Sequence, residues 1–229
     1  MSNNQIPQSR LVRMVLVRFL AALLVLSAMF FLPAWTFAYW QAWIYLAILF
    51  IPMLFVLVYL FRNDPELLAR RMKTREREAE QKLIVKLSFI PFLLAFLLPG
   101  FDIRLGWAHV PVAVVIAADI LVLLGYGIVF LVFRENSYTS RVIEVEQGQK
   151  IVSSGPYAVV RHPMYLGVLI MYGVSPLALG SYWAVLPALL TIPVLVARIR
   201  NEENVLARDL KGYQEYKLRT RYRLIPGIW

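Results

Sequence analysis

The sequence predicts an all-α fold, a polytopic helical integral membrane protein. Three observations carry this. Apolar runs of about 20 residues recur, the length needed to cross the hydrocarbon core of a bilayer. Of the 229 residues, 60% are hydrophobic and only 17% charged, with a mean hydropathy of +0.63. The basic residues behind the net charge of +10 gather between the apolar runs, which fits a membrane surface and argues against nucleic acid as a partner. The absence of cysteine removes disulfides, thiol nucleophiles and thiolate metal sites, and two histidines, His109 and His162, are too few for a His-rich metal centre. A single membrane domain, 1–229, accounts for the chain, with four spans in 1–133 and the polar motifs in 134–229.

The elements follow in order. Residues before Arg10 are polar and expected to be disordered. Arg10, Arg13 and Arg18 lead into a first span near 14–32. Its apolar run is too long for a signal-peptide core and lacks a small-residue cleavage site, so it is expected to remain in the mature protein. Pro33 and the cluster Trp35, Tyr39, Trp40 and Trp43 mark a turn at the far interface, where Trp and Tyr belong. A second span covers 38–61. Asn63-Asp64-Pro65-Glu66 is a helix start, with a capping side chain, proline at the first helical position and an acid in the first turn. Leu67, Leu68 and Met72 among charges then predict a short interfacial helix. A third span runs over 83–99, ending at Pro99-Gly100, and a fourth over 110–133.

Residues 134–162 form the longest polar connection. Val142 to Glu146 alternate in polarity, as a short strand or extended chain would, and Gln147-Gly148-Gln149 and Ser153-Ser154-Gly155-Pro156 are turn signals. Pro163 to Ile199 is apolar again, interrupted by Pro176 and Gly180-Ser181, which predicts a helical hairpin with both arms opening on the basic side. The tail 200–229 carries an apolar stripe of Val205, Leu206, Leu210, Tyr213 and Tyr216. The basic connections alternate with turns of no net charge, so the positive-inside rule puts both termini in the cytoplasm. That requires an even number of crossings, within a total of about five to six spans, the last pair being able to fall short of a full crossing.

Three constellations can carry chemistry. The first is GPYAVVRHPMYLG, Gly155 to Gly167. Pro163 at a first helical position leaves the amides of Met164 and Tyr165 open to an anion, with Arg161 and His162 as further donors. The same residues are also ordinary where a helix enters a membrane, and Tyr165 can be an interfacial anchor. The second is Arg198, Glu202 and Glu203 at the other open end of the hairpin. Arg198 and Glu202 share a helix face and can form a cation site opposite the first lip, or a solvated ion pair of little consequence. The third is Tyr213, Tyr216, Arg221, Tyr222 and Arg223. Rings interleaved with cations either stack on a planar base or anchor the tail to lipid headgroups, the more ordinary role. Asp119, alone in the fourth span, has no obvious partner. No GxGxxG, P-loop, HExxH or GxSxG pattern is present.

GPYAVVRHPMYLG, an apolar stretch, RIRNEENVL, YQEY and YRLIPGIW, in that order, resemble the isoprenylcysteine carboxyl methyltransferase family and its bacterial relatives, within a wider phospholipid methyltransferase-like group. The resemblance covers about 136–229. It implies an S-adenosyl-L-methionine-dependent methyltransferase in a bacterial inner membrane. Its cofactor would lie at the cytoplasmic surface, outside any Rossmann crevice, and a lipophilic or prenylated substrate would enter sideways from the bilayer. Carried over, His162, Pro163 and Tyr165 line the cofactor pocket, with Arg161, Tyr213 and Tyr216. Gly155, Pro156 and Tyr157 shape its approach, and Arg198, Glu202 and Glu203 stand near the transfer site. Two acceptors fit. A carboxylate, as in an isoprenylcysteine-like acid, needs only orientation, which Arg198 can give. A phospholipid amine needs Glu202 or Glu203 as base. A non-enzymatic transporter or assembly protein is the alternative of another class, but a transporter should place polar groups at the midplane, where only Asp119 qualifies.

Overall fold

The computed structural model describes residues 7–73 and 79–229. The polar start of the chain up to residue 6 and part of the charge run after Met72 lie outside the described residues. Nine α-helices occur among them: α1 (Gln8–Ala34), α2 (Trp40–Asn63), α3 (Pro65–Arg71), α4 (Ala79–Leu105), α5 (Val112–Glu135), α6 (Pro163–Ala178), α7 (Val185–Leu189), α8 (Thr191–Asp209) and α9 (Tyr213–Arg219). A single 3-10 turn, Gly155–Ala158, precedes α6. No strand is present among the described residues.

Four helices, α1, α2, α4 and α5, are long and apolar enough to cross a membrane, and α6 is a shorter apolar helix. Large apolar side chains such as Leu24, Ile51, Ile90 and Leu124 point outward, as a lipid-facing surface requires. The expected helix start at Asp64 is present: its Oδ1 accepts the Leu67 amide at 2.8 Å, with Pro65 at the first position of α3. Leu67 and Leu68 are then buried against α1, α2 and α5.

Three features depart from the sequence reading. The third span does not stop at Pro99-Gly100 but runs to Leu105. Gly100 is a packing position, since a Cβ there would lie 2.7 Å from the Phe30 carbonyl of α1. Residues 142–146 form no strand, which leaves the other reading of irregular chain, and Val142 and Ile143 are both buried instead of alternating. The returning arm of the hairpin is not one helix: α7 ends at Leu189 and α8 begins at Thr191. Pro193 explains the break, because a proline ring clashes with the carbonyl four residues earlier.

Two glycines position the polar lip. Gly125 of α5 and Gly167 of α6 face each other so closely that a Cβ on either would lie 2.7 Å from the other's carbonyl oxygen. Small residues let helix backbones approach in this way. α6 is further bound to α2, where the Tyr45 hydroxyl and Ser175 Oγ lie 2.5 Å apart. Tyr39 donates to the Leu179 carbonyl, and Ser181 Oγ donates to Asp102 Oδ2 at 2.6 Å. Asp102 Oδ1 also accepts the Ala108 amide.

Candidate functional site

The N-terminal end of α6 is built differently. His162 precedes Pro163 as the N-cap residue without a side-chain cap bond. The backbone before it is pinned by the tail: the Arg161 amide donates to the Tyr222 carbonyl and the His162 amide to the Arg223 carbonyl, each at 2.9 Å. Arg161 Nε donates to Glu203 Oε1 at 2.7 Å, and its Nη1 reaches the carbonyls of Thr220 at 2.8 Å and Arg221 at 2.6 Å. His162 Nε2 lies 3.3 Å from Glu203 Oε1, and Arg223 Nε donates to Glu203 Oε2 at 2.8 Å. Burial alone would raise the Glu203 pKa. The groups of His162, Arg161 and Arg223 outweigh it and hold the carboxyl down to about 2. Glu203 is therefore a fixed anion that joins α8, the lip and the tail.

Glu202 faces the other way. Its Oε2 accepts the Tyr165 hydroxyl at 2.6 Å, and Oε1 is 3.9 Å from His162 Nδ1. Arg198 Nε donates to the same Tyr165 hydroxyl at 3.0 Å, Nη1 to Gln81 Oε1 at 3.0 Å, and Nη2 to the Arg141 carbonyl at 2.8 Å. Gln81, fully buried at the start of α4, donates through Nε2 to Asn201 Oδ1 at 2.7 Å. Gln81 thus sets the Arg198 side chain from a second helix.

A polar cavity opens among these groups. Tyr157, Arg161, His162, Pro163, Tyr165, Arg198, Glu202, Tyr213 and Tyr216 line it, with part of the 136–152 connection as its cover. Nine of the twelve residues expected at the site thus meet in one cavity. Tyr213 and Tyr216 lie 5.9 Å apart, buried beneath the lip and not splayed on a lipid surface. The Tyr216 hydroxyl donates to the Tyr157 carbonyl. The Tyr213 hydroxyl is buried with no hydrogen-bond partner among the described residues, and burial first, then Glu203 and Glu202, raises its pKa. A buried hydroxyl is seldom left unpaired, and Asp119 Oδ1 in α5 is the other such atom among the described residues.

Three expected site residues lie elsewhere. Gly155 and Pro156 face a separate cleft with Ile128, Leu131 and Val159. Their part is to make the 3-10 turn, with Gly155 at φ 54°, that aims Tyr157 inward. Glu203 does not line the cavity, and its oxygens are taken by Arg161, His162 and Arg223. Sequence reasoning missed Gln81, because a glutamine at the start of an apolar run between Glu80 and Lys82 reads as a solvated helix end.

A second, apolar cleft shares one lining residue with the first. It lies between α4, α6 and α8 and is lined by Val85, Phe89, Phe92, Leu169, Tyr172 and Leu195, with Arg198 at its polar end. Arg198 borders both cavities.

A helical membrane bundle with a polar cavity at one end of a short apolar helix is the class defined by this geometry. Comparison with known proteins narrows it. Residues 113–212, from α5 to the residue before α9, match the family described as phospholipid methyltransferase. Over 107 residues, 42% of this chain, the sequence is 33% identical to the Delta(14)-sterol reductase TM7SF2 of Mus musculus. The match spans 25% of that relative's length. The 113–212 stretch of this polytopic membrane protein is thus similar to phospholipid methyltransferases.

Proposed function

We propose that the protein transfers a methyl group from S-adenosyl-L-methionine to a lipophilic carboxylate of the isoprenylcysteine type, drawn from the bilayer. One observation carries this: a polar cavity and an apolar cleft share the lining residue Arg198, and the polar cavity is lined by Tyr213, whose hydroxyl has no partner among the described residues. The 113–212 family match supports methyl transfer as the reaction.

The residues present fit the donor. Tyr213 and Tyr216 offer ring faces for adenine, and the Tyr213 hydroxyl offers an open hydrogen bond. Glu202 suits the donor's amine or ribose hydroxyls, and His162 with the first amides of α6 suits its carboxylate. The bound donor supplies an already activated methyl on a sulfonium, so no side-chain nucleophile is required. Arg198, held by Gln81 and Tyr165, orients the acceptor carboxylate, which is ionised at neutral pH and needs no base. The walls of the apolar cleft take the lipid tail and keep water from the reacting groups. An amine acceptor would instead ask Glu202 for a proton-accepting role, and Glu202 is the better candidate base, since Glu203 is held as a clamped anion.

The likeness to a sterol reductase supports a second reading, reduction of a polycyclic lipophile in the same cleft with a hydride donor in the polar cavity. Calorimetry on the protein in detergent separates the two. Heat on titration with S-adenosyl-L-homocysteine, and none with reduced nicotinamide dinucleotides, is expected; the reverse would sink the methyltransferase reading. The basic connections favour an inner-membrane placement with both termini cytoplasmic.

A further inference from the structure

Another cleft lies between α1, α2 and α3, closed at one side by Arg141 of the 136–152 connection. Phe19, Met53 and Leu57 form its apolar wall, and Arg18, Arg71 and Arg141 stand at its polar end. Ala21 and Ala22 also border the next cavity along α1, whose wall includes Leu26, Leu49 and Phe96. The two together make a groove with a cationic head and an apolar run.

The three guanidiniums lack acidic partners among the described residues. Arg18 donates to the Met72 carbonyl at 2.7 Å. Arg71 donates to the Ser140 carbonyl at 3.1 Å and lies 5.2 Å from the centre of the Phe133 ring. The Arg141 side chain makes no hydrogen bond to a described residue. The neighbouring cations take the nearby acids instead: Arg70 pairs with Glu66 and Glu146, and Lys73 pairs with Glu144 and Glu146. No acid lines the cleft among the described residues. Burial, then repulsion from Arg141, lowers the Arg71 pKa to about 10.

We propose that this groove binds an anionic phospholipid of the surrounding bilayer, its phosphate among Arg18, Arg71 and Arg141 and one acyl chain along Ala21 and Ala22. The lipid would be an accessory ligand, not the methyl acceptor. The groove and the acceptor cleft share only Phe92 and Tyr172 on their walls, and Arg198 borders the acceptor cleft alone. By neutralising Arg141 and Arg71 it would tie α1 and α3 to the connection that covers the polar cavity.

The test uses delipidated full-length protein, offered phosphatidylglycerol or phosphatidylcholine of identical acyl chains. Native mass spectrometry reads retention, and thermal unfolding reads stabilisation. Preferential retention of phosphatidylglycerol with a higher unfolding temperature is expected. Arg18→Gln and Arg141→Gln should each cut the preference about fivefold, the effect of one guanidinium near an anionic lipid. Arg62→Gln, on an exposed basic position outside the groove, should leave it intact. Equal retention of the two lipids overturns the proposal, as does a preference that survives both groove variants. Retained phosphatidylglycerol that gains a methyl group on incubation with S-adenosyl-L-methionine would overturn the accessory role and make this lipid an acceptor.

Discussion

The two ends of α6 carry similar polar groups but use them in opposite ways. At the C-terminal end every named hydroxyl finds a protein partner: Ser175 with Tyr45, the Leu179 carbonyl with Tyr39, Ser181 with Asp102. At the N-terminal end Tyr213 keeps an unpaired hydroxyl, and Tyr165, Glu202 and Arg198 face a cavity. The first arrangement fastens helices. In the second, Tyr165, Glu202 and Arg198 bond to one another, and the Tyr213 hydroxyl has no partner among the described residues. The same residue types thus fasten helices at one end and line a cavity at the other.

Removing Glu203 should break the comparison most severely. It serves the open end but is bound like a residue of the closed one. Glu203→Ala leaves Arg161 buried without its anion, a loss on the order of 3–5 kcal/mol, seen as a large fall in unfolding temperature together with loss of donor binding. A variant that binds donor and keeps its unfolding temperature would show that the clamp is dispensable. The same carboxyl gives a pH dependence. Its folded-state pKa, about 2, lies below the ordinary glutamate value of 4.5. Its contribution is thus fully present above about 4.5 and lost as pH falls toward 2. Acid titration of the unfolding temperature should show that loss, and Glu203→Gln should remove it.

At the closed end, Ser181→Ala deletes the partner of buried Asp102 and should cost about 1–3 kcal/mol of stability while donor affinity stays within experimental error. The mirror experiment is Tyr213→Phe. It removes a hydroxyl that no described residue satisfies, so stability should hold or rise slightly, and donor affinity should fall about tenfold, the worth of one good hydrogen bond. Paired unfolding and calorimetric measurements on these two variants separate a fastening end from a binding one. If Tyr213→Phe lost stability and kept affinity, the contrast would be gone.

The smallest effect is expected from Asp119→Asn. Asp119 is buried in α5 with Oδ1 unpartnered among the described residues, yet it borders neither the polar cavity nor the apolar cleft. Methyl transfer by this variant should stay near the unmodified level. A dead variant would place the site deeper in the bundle.

The first four spans, the short helix α3 and the meeting of the two hairpin ends were legible in the sequence, because apolar run length, the Asp64-Pro65 start and proline placement are local signals; the fifth and sixth were not, since α6 is shorter than a span and the returning arm is broken. The interruption at Leu190 was legible in principle from Pro193, but the overall hydrophobicity of 163–199 hid it. Pro99-Gly100 misled because a glycine that turns the chain and a glycine that admits a neighbouring helix have the same sequence signature; only the Phe30 carbonyl beside Gly100 decides. Within the site, adjacency of Glu202 and Glu203 concealed that successive residues on a helix point about 100° apart, one to the cavity and one to the clamp. Gln81 was invisible, since nothing local connects the start of α4 to Arg198.

The central claim is that donor and lipophilic acceptor meet at Arg198. The most direct measurement is transfer of a labelled methyl from S-adenosyl-L-methionine into a lipid extract, with mass spectrometry of the product, for the unmodified protein and for Arg198→Gln. The account predicts label in an extractable methyl ester from the unmodified protein, and donor binding without transfer in the variant. Donor binding with no labelled lipid from the unmodified protein, or undiminished labelling by Arg198→Gln, would contradict it.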